Sequence, residues 1–345
     1  MSPRRLLVSL FLILAVVATA CGSDSPADDE ASATGSSPTA SDTTTTTESS
    51  TDDATTASST VEEAPTTRVV DHDSGTTEIP ARAERIYTNS FVVISHLVAM
   101  GITPIAVPEG VAEWLQPQVD AGYLADIDTT AIPTAGTSVE PSLETIAGLQ
   151  PDLIIIEDWA AAQGYDIFSE IAPTVTISRP TNADWKFAFD QAADFTGRAD
   201  EADAVRRRYA DVVAGLGQNI DDTVVTFLRG AQAGSFRIDA EAGFAGSVGL
   251  DAGFILDVGG QTETEDESWI LLSNEELLAV TGDVIVTTPA DDGSSNTTEL
   301  RATSLWPMLE AVQNDAIVEF PVSIYNGGSY VAAEIMLLGL RDALG

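Results

Sequence analysis

Four large apolar residues in a row, Leu153-Ile154-Ile155-Ile156, limit this chain more than any other feature. So short a β-branched run, unbroken by polar residues, reads as a strand covered on both faces, as in a parallel sheet. Ahead of it, Leu143, Ile146 and Leu149 recur at helical spacing, and Pro151-Asp152 makes the turn between helix and strand. The same unit returns later. Residues 142–155, SLETIAGLQPDLII, align without a gap to residues 273–286, SNEELLAVTGDVIV, at an offset of 131. Ser142 matches Ser273, Glu144 matches Glu275, Asp152 matches Asp283 and Ile154 matches Ile285. Four identities in fourteen positions are few, but the helix-turn-strand pattern repeats with them. The chain therefore reads as two related α/β lobes.

The remaining pattern fits that reading. Arg68 to Pro80 is a hairpin turning at Asp73-Ser74-Gly75. Strands are expected at Arg85–Ser90, Thr103–Val107, Thr174–Ser178 and Thr223–Leu228, with a helix from Val92 to Met100 stopped at Gly101. Alternating strands and helices predict parallel sheets. A helical region begins near Asn182, stops at Gly197 and resumes from Ala199 to Leu216 as the join between the lobes. Arg206-Arg207-Arg208 on that helix sit among acids and read as surface ion pairs. His72, beside the hairpin turn, reads as solvated, and His96, within a helix, as a packing or surface residue.

The chain begins with a leader. Arg4 and Arg5 precede an apolar run from Leu6 to Val17, and Ala18-Thr19-Ala20 stand before Cys21, the sole cysteine. This resembles a bacterial lipobox, with Ala18 where Leu is more usual, and implies that Cys21 is lipidated. A secreted protein with an incidental cysteine, or an uncleaved anchor helix, are the alternatives. Residues 21–66 are rich in Ser, Thr, Ala and Asp and read as a disordered tether. The folded remainder divides at the sequence level into a lobe at 67–180, an interlobe helical region at 181–220 and a second lobe at 221–345.

Composition excludes several functions. With no cysteine after Cys21 and two histidines in all, His- or Cys-based metal sites are nearly ruled out. The formal charge is −39, and the only lysine is Lys186, so nucleic acid is an unfit partner. No GxSxG elbow is present, and neither histidine stands near a Ser and Asp pair. Gly215-Leu216-Gly217-Gln218-Asn219-Ile220 lacks the last glycine of a dinucleotide fingerprint and follows a helix. A surface hydrolase is thus the weaker reading, and no cofactor is expected.

In order and spacing, DHDSGTTEIP, RIYTNS, GITPIAV, EPSLETIAGLQPDLIII, IAPTVTI, TGRADEADAVRRRYADVV, LLSNEELLAVTGDVIVT and LWPMLEAVQNDAIVEF resemble the substrate-binding proteins of bacterial ABC importers for iron–siderophores, haem and cobalamin. The resemblance implies two Rossmann-like lobes with mostly parallel sheets, joined by a long rigid interlobe helix, with the ligand in the cleft between them. It implies a protein anchored through Cys21 on the outer face of the cytoplasmic membrane. Such a protein would carry a ferric siderophore to an ABC permease with its ATPase. Haem and cobalamin are the other cargoes of the family, and haem would call for an axial ligand such as Tyr325 or Tyr330.

The resemblance also implies roles for single residues. Ser90, Phe91, Ser138 and Trp159 on the first lobe, and Arg229, Phe236, Arg237, Trp269 and Tyr325 on the second, correspond to ligand-binding positions. Arg179 follows a strand too, but ranks below them, and Asp158 lies beside Trp159 at the same strand end. Glu144 and Glu275, the pair in the internal repeat, correspond to carboxylates that dock on permease arginines. Glu140 has no counterpart, since Leu271 stands at the same offset.

Overall fold

The fold is that of a computed structural model, which describes residues 66–216, 220, 222–262, 267–290 and 296–344. These residues belong to one compact unit, residues 62–345. The leader, Cys21 and nearly all of the tether lie outside the described residues.

An antiparallel hairpin opens the unit, β1 (Thr67–His72) paired with β2 (Gly75–Pro80). His72 is not simply solvated. Its Nδ1 accepts from the backbone N–H groups of Ser74 and Thr176, both at 3.3 Å, and Nε2 donates to Thr77 Oγ1 at 2.9 Å. It ties the hairpin to the first lobe.

That lobe is built on three parallel strands, β3 (Ile86–Thr88), β4 (Leu153–Glu157) and β5 (Thr174–Ile177), in spatial order. Its helices are α1 (Phe91–Ala99), α2 (Val111–Asp120), α3 (Leu143–Leu149) and α4 (Asp158–Ser169). The strand expected at Thr103–Val107 is reduced to isolated bridges, Ala106 to Tyr87 and Val107 to Thr134. Pro104 and Pro108 flank it and donate no backbone N–H, so a full ladder cannot form there. β4 is buried along its whole length: Leu153 and Ile155 enter one apolar cluster, and Ile154 and Ile156 another. Alternate side chains leave opposite faces of the strand, which accounts for the unbroken apolar run.

Two helices then join the lobes, α5 (Trp185–Thr196) and α6 (Ala199–Gly215). The break falls at Gly197, whose φ is +68°. A Cβ there would stand 2.2 Å from the Ala81 carbonyl oxygen, so glycine alone fits. Arg206 pairs at the surface with Asp190 and Asp203, both at 2.6 Å. Arg208 departs from the expected surface pairing by reaching the fully buried Glu334 at 2.7 Å.

The second lobe carries β6 (Val224–Gly230), β7 (Ser235–Asp239), β8 (Ile255–Leu256), β9 (Trp269–Ser273), β10 (Val284–Thr287) and β11 (Ile317–Glu319). The order is β11-β10-β6-β7-β9, with β8 also on β6; β7 and β9 form the antiparallel side. Its helices are α7 (Phe244–Ala252), α8 (Thr297–Arg301), α9 (Glu310–Gln313), α10 (Val322–Tyr325) and α11 (Tyr330–Leu344).

The internal repeat is real in three dimensions. Asp152 accepts from the backbone N–H groups of Glu84 and Arg85, at 2.9 Å each, at the entry to β3. Asp283 accepts from Val224 N at 2.9 Å at the entry to β6. Each aspartate starts the neighbouring strand of its own sheet. The helix of the second copy, Asn274–Ala279, is a 3-10 helix instead of an α-helix.

One apolar cluster runs from the hairpin and α1 through α5 and α6 into α7, α10 and α11, so the core crosses the join. At its centre Trp185 packs edge-to-face on Tyr209, Phe244 and Tyr330, with centroids 5.8, 5.5 and 4.8 Å away. His96 of α1 meets Phe189 of α5 edge-on at 5.5 Å, fully buried, with neither ring nitrogen hydrogen-bonded.

Burial, aided by Arg179, lowers the His96 pKa from 6.5 to about 3. A depressed value means stability that is present above pH 6.5 and lost as pH falls toward 3. About 2–3 kcal/mol should disappear between pH 7 and 4.5 through this ring alone. His96→Phe should therefore lose that much less than wild type when urea midpoints at the two pH values are compared. Equal losses would show that His96 is not the acid-sensitive group.

Candidate functional site

The carboxyl ends of the parallel strands point to the site, as they do in open α/β sheets. Asn89 follows β3, Trp159 follows β4, and Arg229-Gly230 closes β6. Two pockets lie at these ends. The first-lobe pocket, about 200 Å³, is lined by Asn89, Ser138, Val139, Trp159, Ile167 and Phe168 among others. The second-lobe pocket, about 290 Å³, is lined by Arg229, Gln232, Arg237, Trp269 and Leu271 with the intervening backbone. Val139, Trp159, Ile167, Trp269 and Leu271 are 36–69% exposed. Large apolar side chains gathered in this way mark a binding surface.

The two pockets differ in chemistry. The first offers apolar walls and unpartnered polar atoms: Asn89 Oδ1 and Ser138 Oγ are buried without a hydrogen bond, while Asn89 Nδ2 donates to Ser138 O at 2.8 Å. The second offers guanidinium groups backed by rings. Arg237 lies 4.6 Å from the Trp269 ring centroid and Arg229 5.8 Å from that of Tyr325. A ring beneath a guanidinium orients it toward the pocket, and the planar group suits forked bonds to oxygen anions.

A bonded path connects the lobes beneath the pockets. Trp159 Nε1 donates to Glu157 Oε2 at 2.9 Å, and Arg179 Nε donates to Glu157 Oε1 at 3.2 Å. Arg179 then reaches Asn182 Oδ1 at 2.6 Å, and Asn182 N donates to Ser268 Oγ at 3.3 Å. Ser268 immediately precedes Trp269. The tryptophans of the two pockets are thus the ends of one chain of bonds.

Ser138, Trp159, Arg229, Arg237 and Trp269 line the pockets. Four expected ligand residues do not. Ser90 is spent as the N-cap of α1, its buried Oγ accepting from Val93 N at 3.1 Å. Phe91 packs edge-on against Trp114 at 5.4 Å, because the first turn of α1 faces α2. Phe236 is fully buried among Leu228, Ile238 and Leu272, since alternation along β7 sends it into the core while Arg237 goes outward. Tyr325 is fully buried beneath Arg229 and serves as its platform. Arg179 is engaged by Glu157 and Asn182, and Asp158 caps nothing beyond its own neighbour, Trp159 N.

Residues that sequence reasoning passed over include Asn89, Glu157, Ile167, Asn182, Asp239 and Ser268. Glu157 had a visible signal, an acid closing an apolar strand. The others depend on contacts between lobes or between distant loops.

Glu144 and Glu275 are both exposed, and neither makes a hydrogen bond or ion pair among the described residues. The capping box of the second helix uses Ser273 and Glu276, which leaves Glu275 without a local task. Among the described residues no group of three or more His, Cys, Asp or Glu is placed to hold a metal ion.

The family model described as periplasmic binding protein matches residues 92–323. The chain belongs to this family. Membership makes it a binding protein and not an enzyme. Among its relatives is the Fe(3+)-citrate-binding protein YfmC of Bacillus subtilis (strain 168), 24% identical over 261 residues, covering 74% of this chain and 79% of that one. The probable siderophore-binding lipoprotein YfiY of the same organism is 34% identical over 172 residues, covering 48% and 51%. The crystal structure of Staphylococcus aureus SirA complexed with staphyloferrin B superposes with a TM-score of 0.66 at 24% identity, covering 80% of this chain and 98% of that one. At that identity the likeness speaks for the two-lobed fold.

The Glu157–Arg179 pair should hold the base of the cleft. Glu157→Ala removes the carboxylate from a partly buried guanidinium and should cost about 1–3 kcal/mol in chemical denaturation. Adding Arg179→Ala should cost clearly less than the sum of the single changes. Strict additivity would mean that the two residues act apart.

Proposed function

We propose that this protein captures a ferric siderophore between its lobes and presents it to an ABC permease, held at the outer face of the cytoplasmic membrane by a lipid on Cys21. The observation that carries the reading is the pairing of unlike pockets. Exposed aromatic and aliphatic side chains on one lobe suit the flat or greasy parts of a chelate. Ring-backed arginines on the other suit its anionic oxygens. Iron would arrive inside its own chelator, so the protein needs no metal ligands of its own.

The relatives' names agree with this. YfmC is named as an Fe(3+)-citrate-binding protein, YfiY as a probable siderophore-binding lipoprotein and YclQ of the same organism as a petrobactin-binding protein. Haem is disfavoured as cargo, because both tyrosines that could ligate its iron are buried: Tyr325 under Arg229 and Tyr330 inside the aromatic cluster around Trp185. The anchor rests on the lipobox resemblance and on relatives named as lipoproteins.

For docking, Glu144 and Glu275 are the natural contacts. They sit at equivalent places in the repeat, one per lobe, and a permease with twofold symmetry would meet them as a pair. Their charge would aid orientation and encounter rate.

Tryptophan fluorescence with a panel of ferric siderophores, haem and cobalamin tests the reading. Saturable quenching by a siderophore is expected, weakened at least tenfold, about 1.4 kcal/mol, by Trp159→Ala or Trp269→Ala. Phe187→Ala, an exposed ring outside both pockets, should change nothing. No binding below about 10 μM, roughly −7 kcal/mol, across the panel would end the uptake reading. Glu144→Ala with Glu275→Ala should leave binding intact and abolish uptake by cells; undiminished uptake would refute the docking pair.

A further inference from the structure

Asp239 is an odd residue to find where it stands. It ends β7, is buried, and lies directly behind the arginines that line the second-lobe pocket. Its Oδ1 is 3.3 Å from Arg237 Nε, yet the two are not aligned as a hydrogen bond. Arg237 is held from its other end by Asn326 Oδ1 at 3.2 Å, and its plane rests on Trp269, the cross-strand partner of Asp239. The charged and titratable groups acting on Asp239 are Arg237 of β7, Arg229 of β6 and Tyr325 of α10. The tyrosine hydroxyl is fully buried and has no hydrogen-bond partner. Glu241 and Glu267, nearby in the chain and the sheet, are exposed.

A poorly bonded carboxylate in such a place works against folding. What the carboxylate does do is electrostatic. It takes back, at contact distance, the charge that Arg237 would offer an incoming oxygen anion. It also draws the guanidinium onto Trp269 by its Nε side, which leaves the far edge directed away from the acid.

We propose that Asp239 is a specificity-determining residue of the second-lobe pocket, withholding one positive charge from anionic cargo while ionised and returning it when protonated. This rests on the reading of the cleft as a site for ferric chelates and names what that site selects: chelates that present anionic oxygens, held more tightly in mild acid than at neutral pH. Burial pushes the Asp239 carboxyl up from 3.8 to about 6, against the pull of Arg237 and then Arg229. The change of charge therefore falls within the range of pH that a cell surface meets. Weak capture at neutral pH would also spare the pocket from occupation by common small anions.

The test compares wild type with Asp239→Asn at pH 5 and pH 8, using ferric citrate and a neutral cyclic ferric trihydroxamate as probes. Comparing the two proteins at one pH cancels the titration of the probe itself. At pH 8 the variant should bind ferric citrate about tenfold more tightly than wild type; at pH 5 the two should agree within about threefold. The neutral probe should show less than a twofold difference at either pH. A ratio that does not change with pH, or an equal effect on both probes, overturns the role of Asp239 and leaves the siderophore reading standing. Failure of wild type and variant to bind either these probes or any other ferric chelate overturns both.

Discussion

Trp185 is the contact on which the rest of this structure depends. It is fully buried at the start of α5, its Nε1 donates to Ser247 Oγ at 3.1 Å, and its ring is boxed by Tyr209, Phe244 and Tyr330. Those partners belong to α6, α7 and α11, so one side chain gathers the join and the second lobe. Phe189, one turn further along α5, meets Tyr330 of α11 and His96 of the first lobe. Edge-to-face pairs contribute on the order of 0.5–1.5 kcal/mol each beyond the area they bury. Bending the join would break several at once. A close-packed interior resists such deformation.

Both pockets are shaped in this structure, and the Trp159–Glu157–Arg179–Asn182–Ser268 path links them. The stability cost is visible in the same place. Tyr87 OH, Asn89 Oδ1 and Ser138 Oγ are buried with no partner near the first-lobe pocket, and Asp239 is buried behind the second. Each such atom costs about 1–3 kcal/mol. Binding sites tolerate costs of this kind because a ligand, or water, supplies the missing partner.

Sequence pattern reached the architecture for a definite reason. β4, β6 and β10 lie between two apolar layers, so their residues must be apolar at every position or nearly so, and such runs are visible without a structure. The repeat was legible because Asp152 and Asp283 both start a neighbouring strand, a task that preserves residue type and spacing. The pocket-lining residues were less legible because pattern does not show direction. Phe236 and Arg237 are adjacent, yet alternation puts one in the core and the other in the pocket. Ser90 has the composition of a ligand contact and the geometry of a helix cap. Glu157 and Arg179 are far apart in sequence, and their joint role exists only after folding.

The two halves of the repeat also separate structural need from surplus. Asp152 and Asp283 are spent on backbone N–H groups, and Ser273 with Glu276 on a helix end. Glu144 and Glu275 share equivalent positions but bond to nothing among the described residues. The helix dipole favours an acid in a first turn by only about 0.3–1 kcal/mol, and Glu276 already meets that need in the second lobe. Nor does the overall charge explain them. At ordinary salt, charges more than about 8–10 Å apart scarcely interact, so the acidity of the whole surface neither creates nor replaces a matched pair at two fixed points. What distinguishes this pair from the many other exposed acids is position: one on each lobe, related by the repeat, on a frame whose apolar core runs through both lobes. A partner that recognised both would be measuring the frame.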